Sequence, residues 1–89
     1  MIKTNIIIFC YNRPLHIKKL LKKIREIKKR KIYLISDGPK NIKDKAKVQL
    51  VRKEIKKSNI RFVKKKYLKK NVGVRKIFEI GLNWVFKYQ

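Results

Sequence analysis

The chain has 89 residues with 28 Lys and Arg against 5 Asp and Glu, so its formal net charge at pH 7 is +23. This length fits one small domain with a thin core, and the single Cys10 and single His16 exclude an intrachain disulfide and a four-ligand Cys/His zinc site. No apolar run reaches the roughly 18–20 residues of a membrane span, and no signal peptide is recognisable. We therefore expect a cytoplasmic protein, either free or held at the inner face of a membrane.

The first predicted elements are a strand and a helix. Residues 4–10 are a continuous apolar run rich in β-branched side chains, which is typical of a strand buried on both faces of a parallel sheet. Pro14 suits the first turn of a helix and Asn12 suits its cap. An amphipathic helix is therefore predicted over about 15–29. Its apolar stripe consists of Leu15, Ile17, Leu20, Leu21, Ile24 and Ile27.

The middle of the chain repeats this pattern. Residues 31–36 predict a second buried strand, which Asp37-Gly38-Pro39 ends with turn residues. A second helix is predicted over about 42–57, and a weaker strand with alternating apolar residues over 60–65. The side chains expected to face inward from the second helix are Ala46, Leu50, Val51 and Ile55.

The last predicted elements are a loop over 67–72 and a third helix that begins near Gly73. Apolar residues recur at helical spacing in this helix: Val74, Ile77, Phe78, Gly81, Trp84 and Val85. The order βαβαβα predicts an α/β fold with a small parallel sheet, formed by residues 1–89 as a single domain.

Polar residues follow each predicted strand. In an open parallel sheet, ligands bind outside the carboxyl ends of the strands. Three segments fall there: 11–13, 36–38 and 69–73. They offer an aromatic ring, a carboxylate, amides and cations, which suits a nucleotide, and the start of the third helix offers free N–H groups to an anion.

Each of these residues also has a purely structural interpretation. Asp37 before Gly38-Pro39 is also a turn former, Asn12 a helix cap and Tyr11 a half-buried core residue. For His16, a solvent-facing or packing position is a simpler interpretation than catalysis. Cys10 is expected to be a small core residue. No Gly-rich fingerprint or Walker-type loop is present, which argues against a nicotinamide-binding Rossmann domain and against a P-loop.

Three segments together resemble a known family. Residues 6–14 (IIIFCYNRP), 35–41 (ISDGPKN) and 71–77 (NVGVRKI) are similar, in order and separation, to the amino-terminal part of glycosyltransferase family 2. The resemblance implies a partial GT-A fold, the Rossmann-like nucleotide-binding half of an enzyme that transfers a sugar from a nucleoside-diphosphate sugar, here of the uridine type.

The resemblance also implies roles for individual residues. Tyr11 and its neighbours Asn12 and Arg13 would contact the base or ribose, and Asp37 would hydrogen-bond the base. The turn at 71–73 and a nearby cation would lie against the nucleotide or diphosphate. The residues implied at that turn are Asn71, Gly73 and either Arg75 or Lys70.

The chain departs from the family pattern in its acidic residues. The family carries an Asp-x-Asp-like motif that holds a divalent metal, Mn or Mg, whereas this chain has no acidic pair and only Glu79 after Glu54. We therefore expect a donor-binding half that is truncated before this motif, with no cofactor or catalytic residue of its own and no sugar transfer by itself. The fourth strand would also be missing, so the first strand would be an exposed apolar edge prone to self-association at moderate salt.

The charge supports a different function. A chain this basic attracts phosphate, so the alternative is a small basic protein that binds nucleic acid, or other anionic partners, without sequence specificity. Against this, Lys outnumbers Arg 22 to 6 and the lysines are spread over the whole chain, which indicates compositional bias. A degenerate α/β module with only an interaction or structural role is a third interpretation.

Overall fold

Strands and helices alternate along the chain as the sequence predicts. The structure is a computed structural model that describes residues 4–27 and 30–87. Its elements are β1 (Thr4–Cys10), α1 (Pro14–Arg25), β2 (Arg30–Ser36), α2 (Ile42–Lys57), β3 (Lys64–Tyr67) and α3 (Val74–Phe86). The predicted α/β class and the βαβαβα order are confirmed.

The three strands form one parallel sheet in the order β1-β2-β3. Every residue from Ile32 to Ser36 is buried in the central strand β2, as its continuous apolar run predicts. Among residues 5–10 of β1, Ile8 alone is fully buried, and its neighbours from Ile6 to Cys10 are half-buried. The difference arises because β2 has a strand on each side and β1 has one.

The two faces of the sheet carry different helices. Ile8, Ile32 and Leu34 belong to a cluster with α1 and α2, so the even-numbered strand residues face that layer. The odd-numbered residues face α3: the Phe9 and Phe78 ring centroids are 4.3 Å apart, and Tyr33 meets Trp84 edge-on at 6.2 Å. The sheet therefore separates an α1/α2 layer from an α3 layer.

Gly81 lets α3 lie close to the sheet. A Cβ built on Gly81 would stand 2.6 Å from a ring carbon of Phe9 and 3.3 Å from a methyl of Ile35. A larger side chain would push the helix away from both strands. The apolar spacing in the sequence gives no sign of this contact, since by spacing Gly81 is one more inward residue of the helix.

The predicted third strand is displaced. The prediction was 60–65, whereas β3 spans Lys64–Tyr67 and begins where Lys64 pairs with Tyr33. Ile60 and Phe62 do pack against the core, but as an irregular segment that leads into the strand. Pairing with β2 sets the register, and it makes a strand of three lysines and a tyrosine that has no apolar alternation.

The predicted helix faces need correction at three places. In α1 Leu15 is exposed, and Ile27 lies exposed beyond the helix end; the predicted continuation through 28–29 lies outside the described residues. In α2 Val51 and Ile55 are buried as predicted, but Ala46 and Leu50 are exposed. In α3 the exposed residues are Val74 and Phe78, while Ile77, Gly81 and Val85 are buried and Trp84 is half-buried.

The two edges of the sheet differ in charge. β1 contains no charged residue, and no strand of residues 4–27 and 30–87 pairs with its outer edge. β3, the opposite edge, carries Lys64, Lys65 and Lys66, the kind of residue that protects an edge strand from pairing with another chain. The expectation that β1 is an apolar edge is thus confirmed for the described residues, and its self-association stays a prediction.

Candidate functional site

A cleft of about 360 Å³ opens at the carboxyl end of the sheet. It lies where the segments after β1, β2 and β3 meet, which is the edge that a parallel sheet offers to ligands. Six of the residues singled out in the sequence line it: Tyr11, Asn12, Arg13, Asp37, Asn71 and Gly73. Residues up to 62 positions apart in the chain, Tyr11 and Gly73, thus share one surface.

The predicted cations Arg75 and Lys70 are not among the residues of this cleft. Arg75 is exposed and lines a neighbouring depression with Lys76 and Glu79, which shares Gly73 and Val74 with the cleft. Lys70 is exposed as well. The positive charges that do line the cleft belong to Arg13 and Lys40, and the exposed His16 is beside them.

Asp37 holds the loop before α3. Its side chain is only 3% exposed. Oδ1 accepts hydrogen bonds from the backbone N–H groups of Gly38 at 2.8 Å and Val72 at 3.0 Å. Oδ2 accepts from the Asn71 side-chain amide and from the Gly73 N–H, both at 3.2 Å. Four donors thus fill the acceptor sites of one carboxylate, which joins the end of β2 to the start of α3.

Two glycines permit this arrangement. A Cβ on Gly38 would stand 2.6 Å from the backbone N and C of Lys70, so only glycine lets the two loops come this close. Gly73 has φ of +87° and precedes α3 as its N-cap residue, in a region of backbone conformation that L-residues rarely adopt. Asp37-Gly38 follows the end of β2 as predicted, but no turn is formed at 37–39, and the pair instead makes a contact between distant loops.

Asp44 plays the corresponding part for the segment after β1. Its carboxylate accepts hydrogen bonds from the Tyr11 hydroxyl, from the Asn12 amide at 2.7 Å and from the Lys40 backbone N–H at 3.0 Å. The Asn41 side chain caps α2 by accepting from the Asp44 N–H at 2.9 Å. The two cleft side chains of this segment are thus held by the first turn of α2.

This arrangement corrects the predicted cap. Asn12 does not cap α1: the N-cap residue is Arg13, and no side chain makes a cap hydrogen bond there. The Asn12 amide is instead bonded to Asp44, 32 residues away in the chain. Pro14 does occupy the start of the helix, where its missing N–H costs no hydrogen bond.

The Tyr11–Asp44 pair shifts the titration of both groups. Burial, then the hydrogen bond to Asp44 and the charges of Asp44 and Asp37, raise the pKa of Tyr11 to about 12. The hydrogen bond from Tyr11, followed by those from the Lys40 N–H and Asn12, holds the pKa of Asp44 below its ordinary value against the opposing effect of burial. At neutral pH the pair is therefore a phenol donating to a carboxylate.

A polar network behind the cleft ties β2 to β3. Arg52 of α2 donates from Nε to the Ser36 hydroxyl at 3.1 Å and from Nη2 to the Leu68 carbonyl at 2.7 Å, and its guanidinium lies 4.7 Å from the Tyr67 ring centroid. Cys10 lies near this network, and burial raises its pKa to about 11. The thiol is protonated and packs against the core, as the sequence predicts for a small core residue.

The cleft combines an apolar wall with a polar rim. Phe9, Ile77 and Phe78 form the wall, and Val74 continues it on α3. The rim holds the Tyr11 ring, the Asn71 amide and the cations Arg13 and Lys40. Such a surface can pack against a flat ring on one side and neutralise an anion on the other.

Sequence reasoning missed four residues of this region. Asp44 has a usable signal, because Asn41-x-x-Asp44 has the spacing of a helix N-cap and its third residue. Arg52 has no such signal, since it stands in a helix among lysines. Lys40 and Phe78 line the cleft only because of how the chain folds.

The described residues do not fit a divalent metal. Within residues 4–27 and 30–87, no group of three or more His, Cys, Asp and Glu side chains could hold an ion. Asp37 and Asp44 are not close to a third such ligand and are engaged in hydrogen bonds. The metal implied by the family resemblance stays a prediction about an intact enzyme. Nor is any helix of these residues long and apolar enough to cross a membrane.

Comparison with known proteins gives no relative to set beside this site. No family model, no curated protein and no solved structure matches the chain.

Proposed function

We propose that the cleft binds the nucleoside diphosphate part of a nucleotide sugar of the uridine type, and that the protein is the donor-binding half of a glycosyltransferase. One observation carries the proposal: six of the seven residues chosen for nucleotide binding from the sequence line a single cleft at the carboxyl edge of a parallel sheet. Its volume of about 360 Å³ lies at the lower end of the range of small-ligand sites.

Different residues of the cleft contact the base and the diphosphate of the ligand. The ring of Tyr11, held by Asp44, and the wall of Phe9 and Phe78 offer surfaces for a planar base. Arg13 and Lys40 neutralise the diphosphate, in place of the Arg75 or Lys70 that the resemblance implies. The free N–H groups at the start of α3 lie beside Gly73 and favour the same negative charge.

Asp37 imposes a condition on base recognition. Its four acceptor positions are filled by Gly38, Asn71, Val72 and Gly73. A base N–H can bond this carboxylate only by displacing a donor, and the Asn71 side chain is the one free to rotate. The same Asn71 nitrogen also donates to the Gly38 carbonyl at 3.1 Å, so a ligand that turns it away from Asp37 has to compensate for this bond as well.

The test is a titration of the full chain with uridine diphosphate, followed by backbone amide NMR. We expect shifts at residues 11–13, 37 and 71–73 that saturate together, and smaller shifts at the same residues with inorganic pyrophosphate. Arg13→Gln should weaken binding roughly tenfold, because it removes one charge-assisted hydrogen bond.

Arg75→Gln is the matched control. It removes the same charge near the start of α3, at a residue that does not line the cleft, and should change the affinity for uridine diphosphate less than about twofold. If Arg75→Gln weakens binding and Arg13→Gln does not, the diphosphate lies in the other depression. If the shifts are confined to scattered lysines, the cleft is not a nucleotide site and charge alone attracts the ligand. Sugar transfer is not expected from the chain by itself, and turnover of a nucleotide sugar would contradict the donor-half interpretation.

A further inference from the structure

The helical charge of this protein is concentrated on one face of the sheet. α1 has five Lys and Arg and no acid, and α2 has seven with two acids, which gives the α1/α2 layer a formal charge of +10. α3, on the opposite face, has two basic residues and one acid, a formal charge of +1. The fold thus places most of the basic residues of the three helices on one side of the sheet.

The same charged layer exposes large apolar side chains. Leu15 on α1 is 73% exposed, and Ile42 and Leu50 on α2 are 89% and 50% exposed. The buried stripe of α2 is formed by other residues: Asp44, Val48, Val51 and Ile55. Helical spacing places Ile42, Ala46, Leu50, Lys53 and Lys57 on one line that faces away from this stripe. α2 therefore has a second apolar line on the outer face of the most basic layer.

We propose that the outer face of the α1/α2 layer docks on an anionic lipid surface. Leu15, Ile42 and Leu50 enter the boundary between headgroups and acyl chains, while the surrounding lysines lie at the level of the anionic headgroups. Lysine suits this role because its long aliphatic stem follows apolar surface while the ammonium stays at the interface. The positive charge of the α1/α2 layer complements the negative headgroups, and the exposed apolar side chains are removed from water into the acyl-chain boundary.

Nucleic acid fits the same face less well. A polyphosphate backbone is also attracted by lysine, but it offers nothing to exposed aliphatic side chains. Single strands are bound on aromatic residues, and the aromatic pairs of this protein lie in the opposite layer, as Phe9–Phe78 and Tyr33–Trp84. The two exposed leucines and the exposed isoleucine therefore favour lipid.

Docking in this way has a consequence for the cleft. Leu15 lies between the cleft residues Arg13 and His16, and Ile42 follows the cleft residue Lys40 by two positions. Both apolar residues stand in the first turns of their helices, at the carboxyl edge of the sheet. The cleft of the docked protein would open beside the lipid surface.

The test is cosedimentation of the full chain with vesicles at about 0.15 M salt, where surface charges are screened beyond about 8 Å. Vesicles of phosphatidylcholine with about 30% phosphatidylglycerol, which have a negative surface potential, should bind the protein, and phosphatidylcholine alone should not. Replacing the exposed apolar residues should lower the partition constant at least about a hundredfold. That variant is Leu15→Ser, Ile42→Ser, Leu50→Ser.

A matched control removes exposed apolar side chains elsewhere. It is Val63→Ser, Leu82→Ser, Phe86→Ser, which changes residues outside the α1/α2 layer that are 44%, 42% and 66% exposed. We expect it to bind vesicles as the unchanged chain does. Circular dichroism checks that both variants are folded, which their exposed positions favour.

The charge is tested in the same paired way. Losing four lysines of the outer face should weaken binding several hundredfold, at about fivefold for each basic residue near the surface. These are Lys19→Gln, Lys22→Gln, Lys53→Gln and Lys57→Gln. A control with the same net charge should lose less than about fivefold, because its lysines stand elsewhere on the surface. The control is Lys31→Gln, Lys69→Gln, Lys76→Gln and Lys87→Gln.

Two results would overturn the proposal. Equal losses in the outer-face and control variants would show that net charge alone causes the binding. Tighter binding of a duplex or single-stranded RNA than of the vesicles, weakened by the lysine changes but not by the serine changes, would assign the face to nucleic acid. Uridine diphosphate binding in the cleft does not depend on either result.

Discussion

Two buried carboxylates, Asp37 and Asp44, hold segments that line the cleft, and they hold different parts of the chain. Asp37 accepts three backbone N–H groups and one side-chain amide, all from residues 38 and 71–73. Asp44 accepts one backbone N–H, from Lys40, and two side chains, those of Tyr11 and Asn12. The Asp37 region therefore joins loops, and the Asp44 region orients Tyr11 and Asn12, which line the cleft.

This difference separates stability from cleft geometry. A backbone N–H cannot move to find another partner, so losing Asp37 leaves buried donors without an acceptor. Tyr11 and Asn12 can rotate toward water, so losing Asp44 changes where they point at a smaller cost in stability. The Asp37 region should contribute more to the free energy of unfolding. The Asp44 region should contribute more to the titration of Tyr11 and to the shape of the cleft.

The largest expected effect is that of Asp37→Ala. The buried N–H of Gly38 and the part-buried N–H groups of Val72 and Gly73 lose their acceptor, which should lower the free energy of unfolding by about 3 kcal/mol. Asp37→Asn keeps one acceptor oxygen and should fall between this variant and the unchanged chain. Urea unfolding measures both. An unchanged midpoint in Asp37→Ala would mean that the carboxylate does not hold the loop.

Gly38→Ala should cause the second largest loss in the free energy of unfolding. The new Cβ meets the backbone of Lys69 and Lys70 at 2.6–2.7 Å and must push the loops apart, which should cost about 2 kcal/mol. Gly73→Ala is the matched comparison, since it has open space but φ of +87°, and should cost about 1 kcal/mol. Thermal unfolding of the two variants distinguishes a clash from backbone strain. The reverse order would show that the close approach of the loops is not tight.

Tyr11→Phe should have a smaller effect that depends on pH. Removing the hydroxyl should cost about 1 kcal/mol at pH 7. Because the pKa of Asp44 is lowered in the folded state, its stabilisation is present above the unfolded pKa of about 3.9 and is lost as the pH falls through the folded pKa. The difference between the two chains should therefore shrink below about pH 4. Urea unfolding from neutral to acid pH tests this, and a constant difference would contradict it.

The smallest change in stability is expected for Asp44→Asn, which acts on titration. Without the acidic acceptor, the pKa of Tyr11 should fall from about 12 toward its ordinary value, but only part of the way, because burial is the larger cause. In the unchanged chain the neutral phenol stabilises the fold below about pH 10, and this contribution is lost as the pH rises to about 12. Ultraviolet titration of tyrosinate, with Tyr11→Phe as reference, measures the shift. An unaltered titration would show that Asp44 does not raise the pKa of Tyr11.

The features determined by the sequence alone have short-range signals. The apolar run of β2 predicts a strand buried on both faces, Pro14 places the start of α1, and β2 ends directly before Asp37-Gly38. The alternation of these signals establishes the α/β order and the position of the strand ends. Because parallel strands bring their carboxyl ends to one edge, the cleft residues could be chosen without knowing a single contact.

Tertiary structure decided the rest, because the competing possibilities differ only in long-range contacts. α2 has two apolar lines, and packing against α1 and the sheet selected the one through Val48 and Val51, leaving Leu50 outside. The lysines of β3 form a strand only because β2 offers unpaired backbone groups there. The bond from Tyr11 to Asp44 spans 33 residues and joins two side chains whose local signals indicate a core residue and a helix start. No periodicity encodes such a pair, since it arises where the loop after β1 meets the first turn of α2.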